Sequence, residues 1–189
     1  MANNLTYLNN VDENRVEELM QDTCNNATYF TTTVQKVVDS YSADLNGLMN
    51  DLYSALTQRD PISTDALERY YAELTNMVYF MSDKVEKLNV YSDMSKAAAK
   101  EIYNKAYLSA SSEKDEKGKS KTTVAENTSI AESASQYETV VSSVYEHAYK
   151  TVKMKIDSAN EMITTLKNIL KRRIADNYNS NQGVVEEWN

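Results

Sequence analysis

This chain is almost devoid of the two residues that interrupt helices and build tight turns. It has three glycines and one proline among 189 residues. An all-β fold needs turn residues about every 8–12 positions, and a Rossmann or P-loop enzyme needs glycines clustered beside a phosphate. Gly47, Gly118 and Gly183 lie far apart. Both kinds of fold are therefore excluded, and the composition favours an all-α protein.

Classical catalytic and metal sites are also poorly supplied. One cysteine rules out an internal disulfide, and one histidine rules out sites where several imidazoles converge. Cys24 lies inside a helical pattern, and His147 lacks the Glu-x-x-His spacing of a di-metal bundle. We interpret both as structural residues. The sequence predicts no catalytic residue, no metal and no cofactor.

Neither the ends nor the hydropathy indicate export or a membrane. Residues 1–10 have no basic start and no apolar core, and no apolar run approaches the length of a membrane span. We expect a soluble, cytoplasmic protein. Its net charge of −8 is uneven, because residues 1–65 carry ten acidic and three basic residues. Nucleic acid, if bound, would therefore contact the later part of the chain.

Apolar residues recur at spacings of three and four along three segments, which predicts three long helices. The first begins at Asp12, after Val11, and ends before Pro61. The second begins near Ser63 or Thr64, and the third begins with a capping box of Thr123 and Glu126. The expected buried positions are Val16, Met20, Ala27, Phe30, Val34, Val37, Tyr41, Leu45, Leu48, Leu52 and Leu56; then Leu67, Tyr71, Leu74, Val78, Met81, Val85, Leu88, Ser95, Ala98 and Ile102; then Ala134, Tyr137, Val141, Val144, Ala148, Val152, Ile156, Ala159, Ile163, Leu166, Leu170 and Arg173.

These lengths predict a coiled-coil-like antiparallel hairpin. Residues 1–60 form an acidic helical segment, residues 61–176 the hairpin with a charged loop at 111–121, and residues 177–189 a flexible acidic–apolar tail. Long helices bury an apolar stripe only along other long helices, and two or three of them make a thin core. We therefore expect a homo-oligomer.

Two groups of residues are candidates for binding nucleic acid. The first lies near the end of the third helix and comprises Lys150, Lys153, Lys155, Lys167, Lys171, Arg172 and Arg173. Spaced cations suit a phosphate backbone, although the last of them also complement the negative end of a helix dipole. The second lies around the hairpin loop and comprises Lys96, Lys100, Tyr103, Lys105, Tyr107, Lys114, Lys117, Lys119 and Lys121. Lysines beside aromatic rings suit single-stranded nucleic acid; a solvated loop with half-buried tyrosines is the alternative.

Two further patterns leave alternatives open. Tyr29, Tyr41 and Tyr53 recur fifty residues later as Tyr79, Tyr91 and Tyr103, either through an old duplication or by chance in a tyrosine-rich chain. The tail ends in an acidic–apolar tip with the single tryptophan. This tip either anchors a partner protein or is an ordinary chain end. Its docking residues would be Val184, Val185 and Trp188.

The hairpin also carries three recognisable features. Its second helix ends in KEIYNKAYL, its loop is charged and contains a glycine, and its third helix closes with MITTLKNILKRR. In this layout residues 64–176 resemble phage recombination mediators, which are small α-helical proteins. The resemblance implies a homo-oligomer that binds single-stranded DNA and helps to load a recombinase past a single-strand-binding protein. The host would be a bacterial cell.

A different class of function fits the same helices. Phage scaffold or assembly proteins are also long-helical, poor in glycine and acidic, and an acidic first helix can mimic DNA in an inhibitor. The alternative is therefore a structural or protein-interaction protein that binds no nucleic acid.

Overall fold

The computed structural model describes residues 13–114 and 118–183, and nearly all of them are helical. Three helices follow one another: α1 (Glu13–Thr57), α2 (Thr64–Ser112) and α3 (Val124–Gly183). The described residues are 91% helical and contain no strand, which confirms the all-α prediction. Val11 and Asp12, the expected start of the first helix, lie outside the described residues.

Both α2 and α3 begin where the sequence predicts, α2 at Thr64 and α3 directly after Thr123 of the predicted capping box. The Ser63 hydroxyl accepts a hydrogen bond from the Ala66 amide at 3.2 Å. At α3, Glu126 N–H donates to Thr123 Oγ1 at 3.3 Å, and Thr123 N–H donates to Glu126 Oε2 at 2.7 Å. These bonds satisfy amide groups that the first helical turn leaves without partners.

A short polar turn reverses the chain between α2 and α3. The Lys121 amide donates to the Glu113 carbonyl at 2.9 Å, and Gly118 has a φ of 75°, a conformation that other residues adopt only with strain. The Thr122 hydroxyl donates to the Ala110 carbonyl at 2.9 Å. Because α2 continues to Ser112, two residues of the predicted loop are helical, and residues 115–117 lie outside the described residues.

The antiparallel pairing of α2 with α3 forms the axis of the molecule. Near its middle the Ser92 hydroxyl donates to the Ser142 carbonyl at 3.3 Å, and the Tyr91 and Tyr145 rings lie 5.4 Å apart. The buried apolar side chains that these two helices supply to the main core are Leu67, Leu74, Val78, Met81, Val85 and Leu88 of α2 with Ala148, Val152, Ile156, Ala159 and Leu166 of α3.

The later half of α1 completes this core as a third helix. Val38, Leu45 and Leu52 are almost fully buried, so residues from both predicted segments 1–60 and 61–176 share one core. The Lys155 ammonium donates to the Asn46 side-chain oxygen at 2.7 Å and joins α3 to α1. Among residues 13–114 and 118–183, no third helix packs against the hairpin at the end where its turn lies.

The earlier half of α1 departs from the prediction. Met20 and Ala27 were expected in the core, but Met20 is 63% exposed and Ala27 is exposed as well. The side chain of Val16 lies outside what the structure describes. We call residues 13–29 the arm. Its described side chains, at residues 17, 18 and 20–29, are all exposed, so this part of α1 packs against no other helix in the described structure.

The hairpin also differs near its turn. Ala98, Ala134 and Tyr137 were expected in the core, yet all three are exposed, and Tyr137 is 75% exposed. The buried positions of α3 in this part are instead Asn127, Ala131, Ser135 and Ser142. With only two helices present, burial follows the line of direct contact between α2 and α3. The apolar residues on the side where α1 would lie are left in solvent.

The end of α3 extends beyond its predicted limit. The helix continues to Gly183, so residues 177–183, which the sequence analysis assigns to the tail, are helical. Asparagine, serine and glutamine disfavour a helix much less than glycine or proline does, so a long helix can continue through them. The predicted docking residues Val184, Val185 and Trp188 lie outside the described residues.

The tyrosine repeat has one structural counterpart. Ser42 and Ser92, which follow Tyr41 and Tyr91, are both buried. Their hydrogen bonds differ, because Ser42 donates to the Val38 carbonyl within its own helix whereas Ser92 donates across the hairpin. Equivalent burial fits a duplication, but the different partners leave chance equally open.

Replacing a core leucine tests how much the core between α2 and α3 contributes to stability. Leu166 is fully buried in the part where three helices meet, so Leu166→Ala should lower the free energy of unfolding by about 2–5 kcal/mol through lost burial and a cavity. The matched control is Leu108→Ala, because Leu108 is 66% exposed. Urea denaturation followed by circular dichroism measures both; equal losses in the two variants would contradict the assigned core.

Candidate nucleic-acid interface

Two of the seven cations near the end of α3 take part in the fold itself. Lys155 donates to Asn46 of α1, and the Arg173 guanidinium donates to the Ile62 carbonyl at 2.6 Å, just before α2 begins. Both contacts tie α3 to neighbouring segments. Lys155 and Arg173 are 18 residues apart, about five helical turns, so they lie on the same side of α3. That side faces α1 and the α1–α2 connection.

A carboxylate pairs with two more of the candidates. Glu146 accepts hydrogen bonds from Lys150 at 2.7 Å and from Lys96 of α2 at 2.9 Å. The two hydrogen bonds, of which the one from Lys150 has the larger effect, lower the pKa of Glu146 to about 2. The bond to Glu146 in turn raises the pKa of Lys96. Glu146 therefore stays ionised at neutral pH, and it joins the two helices of the hairpin at an exposed position.

The cations that remain lie on a different side of α3. Lys153, Lys167, Lys171 and Arg172 are exposed. Lys153 and Lys171 are also 18 residues apart, about 27 Å, and share one face with Lys167 near the line between them. The Lys153 ammonium lies 5.7 Å from the centre of the Tyr149 ring. Lys167, Lys171 and Arg172 make no hydrogen bond or ion pair with any residue that the structure describes.

Neighbouring carboxylates limit the positive potential of this face. Asp157 lies on α3 between Lys153 and Lys167, and Glu86 of α2 lies beside Lys153, where it accepts a hydrogen bond from the Tyr149 hydroxyl at 3.5 Å. Phosphates approaching this face would find Lys167 and Lys171 the most available cations on it, with Arg172 on its flank, about 100° around the helix. We call these three residues the α3 basic cluster.

The candidates near the hairpin turn contain a pair of stacked rings. Tyr103 and Tyr107 lie one turn apart on α2, with ring centres 6.3 Å apart and planes inclined by 14°. They border a shallow depression that Asn104, Leu108 and Thr128 complete. A base can extend such a stack, because every base has a flat π-face.

The lysines around this stack differ in their availability. Lys105 pairs with Glu101 of the preceding turn, whereas Lys100 is exposed with no hydrogen bond or ion pair in the described part of the chain. Lys119 and Lys121 are exposed on the turn. The pairing of Lys96 and Lys150 with Glu146 lies between this region and the α3 basic cluster. The described structure thus holds two separate groups of cations.

Two residues that organise this surface, Glu146 and Asn46, were not among the predicted site residues. Glu146 and Lys150 are four residues apart, a spacing that predicts an ion pair on a helix. This spacing predicts the contact of Glu146 with Lys150 but not its contact with Lys96, because Lys96 lies fifty residues earlier in the chain. Asn46, the partner of Lys155, gives no local signal at all.

The remaining candidates form no reactive centre in the described residues. Cys24 is exposed on the arm, and the Phe30 ring packs edge-on against His147 at 5.6 Å. No three His, Cys, Asp or Glu side chains converge in residues 13–114 and 118–183 as a metal site requires. Within the same ranges, no helix combines the length and the apolar character needed to cross a membrane.

Comparison with known proteins identifies no relative. No model of a protein family, no curated protein and no solved structure matches the chain.

The low pKa of Glu146 makes a prediction about acid stability. A carboxylate with a lowered pKa stabilises the fold above its ordinary pKa of about 4.3, and this contribution is lost as the pH falls towards about 2. Glu146→Gln should therefore unfold at lower urea concentration than the wild type at pH 7, and the difference should disappear near pH 2. Glu132→Gln, an exposed carboxylate of the same helix, is the control and should show little difference. A pH-independent effect of Glu146→Gln would contradict the ion-pair assignment.

Proposed function

We propose that this protein is a non-catalytic recombination mediator of phage type that binds single-stranded DNA in the cytoplasm of a bacterial host. The observation that carries the proposal is the α3 basic cluster, three exposed cations on one end of a rigid helix with no partner among the described residues. Each cation that neutralises a phosphate releases counterions and so favours binding.

The position of the acidic segment supports this proposal. The later half of α1 packs on the side of α3 where Lys155 and Arg173 lie. Lys171 is two residues before Arg173, which places it about 200° around the helix. The many carboxylates of α1 therefore lie on another side from the α3 basic cluster, where their repulsion of phosphates is reduced by distance and by salt.

A second support is the stacked pair of Tyr103 and Tyr107. Cations that bind the backbone and rings that stack on bases are the two elements of sequence-independent binding to single strands. Because the two groups are separated along the hairpin, we assign phosphate binding to the α3 basic cluster and base stacking to the tyrosines. Homo-oligomerisation would bring further copies of both to one strand, and a recombinase and a single-strand-binding protein would be the protein partners.

The competing proposal is a structural or protein-interaction role without nucleic acid. The exposed apolar residues near the hairpin turn favour it, since Met94 is 65% and Tyr137 is 75% exposed. Exposed apolar residues on neighbouring helices are typical of surfaces that bind other proteins. Such a surface is compatible with a mediator as well, so DNA binding is the property that separates the two proposals.

Removing the α3 basic cluster tests DNA binding directly. The triple change Lys167→Gln, Lys171→Gln and Arg172→Gln should weaken single-strand affinity similarly for all sequences and flatten the log–log salt slope by roughly one unit per lost phosphate contact. Fluorescence anisotropy over a range of salt concentrations measures both quantities. Arg173 is left intact because it holds the Ile62 carbonyl.

A matched control keeps the loss of charge the same. Lys36→Gln, Lys84→Gln and Lys87→Gln remove three exposed cations from α1 and α2 instead. If both triple variants bind alike, or if the wild type does not bind at low salt, the mediator proposal is wrong and the protein-interaction role replaces it. Circular dichroism confirms that each variant keeps its helices.

The tyrosine stack makes an independent prediction. Tyr103→Ala should weaken single-strand binding by about 1–3 kcal/mol with almost no change in salt slope, because stacking on a base releases no counterions. Tyr53→Ala is the control, since Tyr53 is a 68% exposed residue of α1. An equal effect of the two changes in the same anisotropy titration would remove Tyr103 and Tyr107 from the interface.

A further inference from the structure

The arm carries the same apolar stripe with which the rest of α1 enters the core. Met20 and Ala27 precede Val38 and Leu45 by 18 residues, about five turns, and so occupy the same face of the helix. Val38 and Leu45 are buried, whereas Met20 and Ala27 are exposed. One continuous stripe is therefore covered in its later half and uncovered in the arm.

The hairpin presents a matching uncovered surface. Tyr137 precedes Lys155 by 18 residues, and Lys155 contacts α1, so Tyr137 lies on the α1-facing side of α3. Ala98 and Ile102 follow Phe80 and Lys84 by the same interval, and those two residues border the contact between α1 and α2. We call this surface the hairpin groove. Its residues are Ala98 and Ile102 of α2 and Ile130, Ala134 and Tyr137 of α3.

The hairpin groove continues the interface in which α1 already packs. All of its residues except Ile102 are exposed, and Ile102 is half-buried. The groove therefore fits a helix with an apolar stripe at the spacing of α1. The arm of the same chain does not occupy it in this structure.

Local hydrogen bonds from side chains to the backbone are concentrated where the arm meets the packed part of α1. The hydroxyls of four threonines donate to the carbonyls four residues earlier, at 2.8–2.9 Å, and such bonds often bend helices. These residues are Thr28, Thr31, Thr32 and Thr33. They lie at the end of the arm and directly after it, at the position where Phe30 contacts α3 through His147.

We propose that the hairpin groove binds the arm of a second copy of this chain, and that the second copy receives the first arm in return. Exchange of the same element between two copies gives a closed two-fold dimer and covers both exposed stripes at once. The inference rests on the proposed self-association and is independent of DNA binding.

The arm is acidic, and the two borders of the hairpin groove differ in charge. The arm has four acidic residues and one basic residue. Residues 92–112 of α2, which border the hairpin groove, contain Lys96, Lys100 and Lys105 against Asp93 and Glu101. Residues 124–146 of α3, which form the other border, contain four glutamates and no lysine or arginine. Burial of the apolar stripe therefore supplies the affinity, and charge does not.

Cys24 provides the test, because it is the single cysteine of the chain and is exposed on the arm. Wild-type protein with an affinity tag is mixed, without DNA, with untagged Cys24→Ala protein that carries Ala134→Cys or Ala98→Cys. Mild oxidation should give tagged–untagged disulfide dimers several-fold more abundantly than with Glu132→Cys, an exposed position of α3 two residues before Ala134 and on another face. Equal yields at the three positions would overturn the exchange.

A second variant shows whether the arm that occupies the groove comes from the same chain or from another copy. Ala134→Cys in the wild-type background places both thiols in one chain, so an arm folded onto its own hairpin would consume them while the chain stays monomeric on a denaturing gel. That result would also overturn the exchange. Linked dimers support it.

Sedimentation separates this proposal from self-association in general. Met20→Asp should convert the oligomer to monomer, or to a smaller species, at micromolar concentration. If the wild type and Met20→Asp associate equally, the arm exchange is wrong and the proposed self-association stands. If the wild type is already a monomer, both are wrong.

Discussion

The apolar seam between α2 and α3 is the contact on which the rest of this molecule depends. Helices of 49 and 60 residues cannot be stable in water through propensity alone, because most helical stability in proteins comes from packing an apolar face. Here that face runs from Leu67 to Ala110 on α2, against Leu166 to Ala131 on α3. The polar turn, the capping residues and the third helix all act on this pair. They reverse the chain, begin the helices at fixed residues and thicken the core at one end.

The seam changes character along its length, and this change divides the molecule. Beside α1 the buried residues are large, such as Leu74, Leu88 and Leu166. Near the turn they are small or polar, among them Ala131, Ser135 and Ser142. Small side chains bury less apolar area per turn, so the turn end has fewer apolar contacts to hold it. It is also the end where Tyr137 and Met94 remain exposed, and therefore the end with most to gain from a partner.

Periodicity in the sequence predicts which residues form an apolar face but cannot predict what covers that face. The three helices, the starts of α2 and α3, the capping box at Thr123 and the antiparallel hairpin follow from spacing and local chemistry. The exposure of Tyr137 does not, because it depends on where α1 leaves the bundle. The exposure of Met20 could not be predicted for the same reason. Both residues lie on correctly predicted stripes, and only their burial was wrong.

The separate roles of the basic residues could not be predicted from the sequence either. A count of cations in the sequence treats Arg173 and Lys171 as equals, since both belong to the closing KRR of the helix. Their roles differ because two residues turn a helix by about 200°. Arg173 faces the α1–α2 connection and donates to Ile62, whereas Lys171 faces solvent. Glu146 adds a contact between residues fifty positions apart, which no local pattern contains.

The same rotation separates the two surfaces that we assign to binding. Tyr137, Lys155 and Arg173 share the side of α3 that faces α1, while Lys153 and Lys171 lie about 200° away. A helix bound in the hairpin groove would therefore approach α3 from one side and a phosphate backbone from the other. Covering the groove with an acidic arm would leave the α3 basic cluster open to solvent. Self-association and DNA binding thus make no competing demand on α3, and one long helix can serve both.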